Sequence, residues 1–242
     1  MFQPLKNKPI RRVMAILATV LFGLTVFHLA RPAATAATPS LKKYPVRGID
    51  LSRYNKIKSF DSVAANVDFI FLRASHGIQR DATFSKLYNK SVDAKVPVGA
   101  YHYFRFDVDG EAQANNFIRA IKGKQFELPI VIDVEQHGNS KKVKNKTIVA
   151  RLKTMVGIME RNGYKIMFYT NKHGYINYIK PNFPSYPLWI CSFTDPPTDA
   201  NWVFWQYSHT GKVKGLKGDV DLDTYNGSKK QFKKKYPKRK RK

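Results

Sequence analysis

Short apolar runs recur along this chain at intervals that suit strands. They are Val46 to Leu51, Val67 to Ala74, Val96 to Phe104, Leu128 to Glu135, Tyr164 to Thr170, Tyr186 to Ser192, Trp202 to Tyr207 and Val220 to Tyr225. Runs of this length with turn residues between them read as buried strands. Between the early ones the period changes. Thr83 to Ala94 places Phe84, Leu87, Tyr88 and Val92 at helical spacing, and Thr147 to Arg161 does the same with Ile148, Leu152, Met155, Val156 and Met159. Gly110 to Ile121 begins acidic and gathers Phe117, Ile118 and Ile121 on one side, which predicts a third helix. Strand alternating with helix implies an α/β architecture with parallel pairing. The late strands stand too close together for full crossover helices. The pattern therefore predicts a barrel that begins as regular β/α units and finishes with shorter connections.

At 242 residues there is room for one substantial domain, placed at residues 44–228. Ahead of it, Lys6, Lys8, Arg11 and Arg12 precede an uncharged stretch from Val13 to Ala30, then Arg31 and a small, polar run. Residues 1–36 therefore look like an export segment, and 37–43 like a linker. Ala34-Thr35-Ala36 offers a cleavage site, while the apolar stretch nears the minimum for a membrane span, so cleaved signal peptide and uncleaved anchor in contact with the membrane both stay open. Either way the domain is expected outside the cytoplasm. Residues 229–242 are a block of Lys and Arg with Phe232, Tyr236 and Pro237 and no acid, which predicts a disordered basic tail that tethers the protein to an anionic surface. The formal charge of +26 favours anionic partners in general, but the export segment argues against nucleic acid. A single cysteine, Cys191, excludes a disulfide framework and a Cys-based zinc site, and its apolar context predicts a core residue. No cofactor loop or metal-ligand cluster is evident, so no cofactor or metal is expected, and the chain is expected to be a monomer.

The candidate chemistry sits at Asp133-Val134-Glu135, the end of the run that begins at Leu128. Side chains at i and i+2 of a strand share a face. Two carboxylates held together there resist simultaneous ionisation, which leaves a proton donor at neutral pH beside a stabilising anion, as glycoside hydrolysis requires. In a barrel of parallel strands the carboxyl ends gather at one mouth. Asp50 closes the first strand, and Asp219, Asp221 and Asp223 lie on the last, so acids from the first, fourth and last strands are expected to converge with Asp133 and Glu135.

Taken in order, several segments resemble glycoside hydrolase family 25, the Chalaropsis-type lysozymes or N-acetylmuramidases. They are Gly48-Ile-Asp-Leu-Ser52, Phe69-Ile-Phe-Leu-Arg-Ala-Ser75 with Gly77, Asp81 with Phe84, Val98-Gly-Ala-Tyr-His-Tyr-Phe104, Pro129-Ile-Val-Ile-Asp-Val-Glu135, Pro187-Leu-Trp-Ile190, Trp205-Gln-Tyr207 and Val220-Asp-Leu222. The resemblance runs from about Val46 to Gly227. It implies a modified TIM-like barrel of five β/α units followed by three strands. It also implies hydrolysis of peptidoglycan glycan strands between N-acetylmuramic acid and N-acetylglucosamine. Carried over by position, Glu135 is the general acid and Asp133 assists it through the substrate's acetamido group. Asp50 and Asp221 complete the acidic mouth, with Asp221 preferred to Asp219 for its Val-Asp-Leu context. The chain departs from the family pattern at His76, Asn55 and Asp223, which bears on substrate detail and pH optimum rather than on the Asp-x-Glu pair.

Aromatic side chains suit sugar binding, because pyranose faces stack on them while polar tips bond to hydroxyls. Tyr101, Tyr169, Trp189, Trp205 and Gln206, near strand ends, are the candidates for substrate binding. His102 is read as a satisfied structural histidine, and His76 and His137 as residues of mouth loops. A non-catalytic wall-binding protein that grips carbohydrate with the barrel is the alternative reading.

Overall fold

The computed structural model describes residues 41–196 and 198–239; the expected export segment lies outside them. Among the described residues no helix is long and apolar enough to cross a membrane. Eight strands close into a barrel: β1 (Arg47–Leu51), β2 (Phe69–His76), β3 (Val98–Tyr103), β4 (Ile130–Asp133), β5 (Ile166–Asn171), β6 (Leu188–Cys191), β7 (Trp202–Gly211) and β8 (Val220–Tyr225). β1 through β7 pair in chain order, each parallel to the next. β8 closes the ring antiparallel to both β7 and β1.

Helices follow the early strands, the last three of them where the spacing predicts and the first, after β1, not expected from it. They are α1 (Phe60–Ala64), α2 (Phe84–Asp93), α3 (Gly110–Ile121) and α4 (Asn145–Arg161). Asp109 starts α3 by accepting a bond from the Ala112 amide at 2.9 Å, which satisfies one of the free donors at a helix start. After β5 the connection is a run of short helical turns over residues 172–182, including a π turn at Tyr175–Ile179. Strand alternation then builds two cores. Outward residues such as Ile49, Leu51, Ile70, Leu72, Ile130, Ile132 and Phe168 pack under the helices. Inward residues Phe69, Phe71, Val131, Met167, Trp189 and Phe204 fill the barrel itself. Gly48 and Gly99 make room for this filling, since a Cβ there would fall 2.3 Å from the Phe69 ring and 2.5 Å from that of Phe71.

The C-terminal segment differs from the disordered tail that its composition suggests. Lys229–Lys235 form α5, opened by a capping box in which Ser228 and Gln231 bond each other's backbone amides. Phe232 and Tyr236 are buried at the amino-terminal end of the barrel, against Phe69, Phe204 and Tyr225. Arg239 then pairs with Glu127 and donates to the Gln125 carbonyl. The spacing of two aromatic side chains, four residues apart among lysines, gives the helix one apolar stripe that the open end of the barrel needs.

Candidate active site

Asp133 ends β4 and Glu135 follows two residues later, and both project into the mouth of the barrel. Their backbone is fixed from three directions. The Phe104 amide donates to the Asp133 carbonyl at 2.9 Å, the Thr170 hydroxyl to the Val134 carbonyl at 2.7 Å, and Asn139 Nδ2 to the Glu135 carbonyl at 2.9 Å. Gly174 allows the turn after β5 to lie against this point, because a Cβ would meet Thr170 Oγ1 at 2.1 Å and the Val134 carbonyl at 2.6 Å.

The mouth is a cleft of about 770 Å³, within the range of ligand-binding clefts. Asp50, Asp133, Glu135 and Asp221 all line it, as expected. The antiparallel direction of β8 explains how Asp221 gets there: it lies near the start of that strand, and the start of an antiparallel strand is at the carboxyl end of its neighbours. Asp221 stands directly opposite Asp50 in the β1–β8 register, so two like charges face each other. Asp223 lies deeper and fully buried, opposite Gly48, where it accepts a bond from Trp189 Nε1 at 2.8 Å. Asp219 is outside the cleft, exposed and paired with Lys212.

Crowding and burial act in one direction on these acids. Burial, and then the charge of Asp221, raises Glu135 to about 7. Asp133 is raised well above the usual carboxylate range by burial and by Glu135, with Arg73 opposing. Asp50 is raised by burial and by Asp221 and Asp223, Asp223 by burial and Asp221, and Asp221 chiefly by burial. The cleft therefore holds carboxyl groups that keep protons at pH values where exposed ones have lost them. Asp133 Oδ1 is buried and meets no hydrogen-bond partner within the protein.

A polar chain runs across the floor of the cleft. The Tyr169 hydroxyl donates to Gln206 Oε1 at 2.8 Å, and Gln206 Nε2 donates to Asp50 Oδ2 at 2.8 Å. Tyr101 reaches the other Asp50 oxygen at 3.5 Å. Tyr101, Tyr169 and Trp189 form the aromatic wall, with Tyr101 and Tyr169 each edge-on to Trp189. Trp205 is not part of it. Neighbouring residues of a strand face opposite sides, so once Gln206 points inward Trp205 points outward, where it packs against Tyr44, Trp202 and Tyr207 and donates to the Ser192 carbonyl at 2.7 Å.

Other residues divide the same way. His102 is fully buried outside the cleft, between Ser75 at 2.8 Å and Gln113 at 3.1 Å, and burial pushes it down to about 4, so it is neutral. His137 lines the mouth; His76 packs on Tyr103. Cys191, expected in the core, is half-buried and lines the cleft, where burial pushes its thiol up to about 12 and so keeps it protonated. Among the described residues no group of His, Cys, Asp and Glu has the arrangement of a metal site.

Two participants were not singled out from the sequence. Arg73 lines the cleft as the cation facing Asp133, held by Asp81 at 2.9 Å and covered by the Tyr54 ring. Its place in the inward series Phe69, Phe71, Arg73 is a signal, since a charge in such a series points into the barrel. Asn139 has no such signal. It fixes Glu135 from a loop, and its other bonds go to the Phe104 carbonyl and the Phe106 amide.

Comparison with known proteins agrees with this architecture. The family model described as glycosyl hydrolases family 25 matches residues 49–216. A solved family 25 glycosyl hydrolase from Bacillus anthracis superposes with a TM-score of 0.70 at 32% identity, covering 80% of this chain and 94% of that one. Among curated relatives, YegX of Escherichia coli strain K12 is 30% identical over 213 residues, covering 84% of this chain and 77% of YegX. Lysozyme M1 of Streptomyces globisporus is 30% identical over 203 residues, covering 76% of this chain and 68% of that enzyme. With matching segments in one order, one barrel and one acidic mouth, this chain belongs to glycosyl hydrolase family 25.

Proposed function

We propose that this chain is an exported muramidase that hydrolyses the β-1,4 bond between N-acetylmuramic acid and N-acetylglucosamine in peptidoglycan. The observation that carries the reading is Glu135, raised to about 7 at the rim of an aromatic cleft and paired with a deeper Asp133. The related enzyme from Streptomyces globisporus is named a lysozyme, which supports the substrate class.

Glu135 gives its proton to the glycosidic oxygen as the bond to the leaving sugar breaks. In the same step the carbonyl oxygen of the muramic acid acetamido group attacks the anomeric carbon, forming a bicyclic oxazolinium. The unpartnered Asp133 Oδ1 accepts the acetamido N–H, and its carboxylate form becomes favoured as positive charge grows on that group. Water then opens the ring at the anomeric carbon, and the Glu135 carboxylate takes the proton released. Two displacements at one carbon retain configuration; clean inversion would exclude this route. Tyr101 and Tyr169 border the cleft as its aromatic contacts, backed by Trp189, which is stacked on Phe71, and Asp50 with Gln206 offers acceptors and donors to sugar hydroxyls.

Glu135→Gln keeps the shape and removes the proton. Release of reducing ends from purified peptidoglycan should fall by roughly 100-fold to 10,000-fold, with the circular dichroism spectrum unchanged. Turnover at the parent rate would remove Glu135 from the mechanism. Mass analysis of the new reducing end distinguishes muramic acid from glucosamine, and the second product would refute the stated bond.

A further inference from the structure

We infer that the barrel face opposite the cleft is a docking surface for a bilayer carrying anionic lipid headgroups. α5 lies across this face with Phe232 and Tyr236 turned into the barrel, and Lys229, Lys230, Lys233, Lys234 and Lys235 are left exposed. Turns that lead into β3, β4 and β5 add exposed Lys95, Lys122 and Lys165 around it. Acids on the same side are mostly engaged. Asp68 accepts the Arg47 amide and Glu127 pairs with Arg239, which leaves Asp93 and Glu160 as exposed acids, the latter bonded by the Tyr186 hydroxyl.

Three features select a lipid surface over a polymer. The cations are spread across the end of a barrel and do not line a groove, an arrangement that matches a plane of charge better than a thread. The aromatic residues of the helix are buried, which removes the stacking platforms that single-stranded nucleic acid uses. The chain also enters the barrel on this face, through Leu41–Lys43, downstream of the uncharged stretch Val13 to Ala30 with its basic flank. With no exposed apolar side chain on α5 the attachment is electrostatic and salt-reversible, each lysine adding to attraction only within a Debye length of the headgroups. A chain held this way directs its cleft away from the bilayer, because the mouth is at the other end of the barrel.

The test is co-sedimentation of the full chain with vesicles of phosphatidylglycerol and phosphatidylcholine, or of phosphatidylcholine alone. The variant changes Lys229, Lys230, Lys233, Lys234 and Lys235 to Gln. It touches no residue of the cleft, so hydrolysis of soluble glycan fragments reports that the barrel is intact. The parent should prefer anionic vesicles, and the variant should lose roughly 100-fold or more of that preference, as should the parent in high salt. Three results would overturn the inference. They are equal binding to both vesicle types, an undiminished preference in the variant, and tighter binding to duplex DNA or to poly(glycerol phosphate) than to anionic vesicles at equal phosphate. Attachment is read separately from turnover, so its failure leaves the proposed reaction standing, and the reverse.

Discussion

Replacing Phe232 by Ala separates the two faces of α5, because it removes packing and leaves every lysine in place. Phe232 is 4% exposed, and its ring lies 5.6 Å from Phe69, 5.3 Å from Tyr225 and 5.4 Å from Tyr236 between centroids. Truncating a buried Phe costs about 3–5 kcal/mol. Here the hole opens at the end of the barrel, where water enters and α5 can settle, so the lower figure of about 3 kcal/mol applies. For a domain of this size that corresponds to a fall in melting temperature of roughly 6–12 °C. Thermal unfolding followed by circular dichroism measures it, alongside the five-lysine Gln variant, which keeps both aromatic residues and should melt within a few degrees of the parent. If Phe232→Ala melted at the parent temperature, α5 would contribute nothing to the barrel, and the helix would be a passive extension.

Asp221→Asn removes the charge that, after burial, holds the Glu135 proton, so the alkaline limb of the kcat/KM profile, set near pH 7 in the parent, should move to lower pH; an unmoved limb would uncouple the two acids. Asp50, Asp133, Glu135, Asp221 and Asp223 are all raised in the folded chain, so these five groups hold more protons in the native state above the ordinary carboxylate range, while His102, pushed down to about 4, acts in the opposite sense below 6.5. The acids' stabilisation is complete at low pH and is lost as pH rises; for Glu135 the window runs from 4.5 to about 7, so the urea midpoint of the parent should fall across it relative to that of Glu135→Gln, and a constant difference between the two would contradict the assignment. Asn139→Ala frees the Glu135 carbonyl and the Phe106 amide together, at a cost of about 1–3 kcal/mol for groups left unpaired. It should lower kcat more than it raises KM, and an unchanged kcat would show that the loop does not position Glu135.

The barrel was legible because its strands are short apolar runs at regular spacing, and a buried strand has few other ways to read. Asp133 and Glu135 were legible for a simpler reason, that a period of two puts them on one face. The direction of β8 was not, since eight residues between Gly211 and Val220 serve a hairpin or a tight parallel return equally well on paper, yet the choice decides that Asp221 and not Asp223 reaches the rim. Trp205 failed because aromatic character was weighed before alternation, although Gln206 and Trp205 cannot face the same side. The tail failed through composition: lysine content masked the spacing of Phe232 and Tyr236, and only the open end of a barrel gives that spacing a use. Arg73 was visible in an inward series but counted as part of a motif, and Asn139 acts through a loop whose shape no local pattern encodes.

Closure by an antiparallel last strand brings Leu41 and Arg239, where the described chain begins and finishes, to the same end of the barrel. Material joined directly at either residue starts behind the cleft, and a column or sensor chip coupled through such a junction would hold the barrel with its opening toward the solution. Loops at the opening, in contrast, can be exchanged without touching either junction.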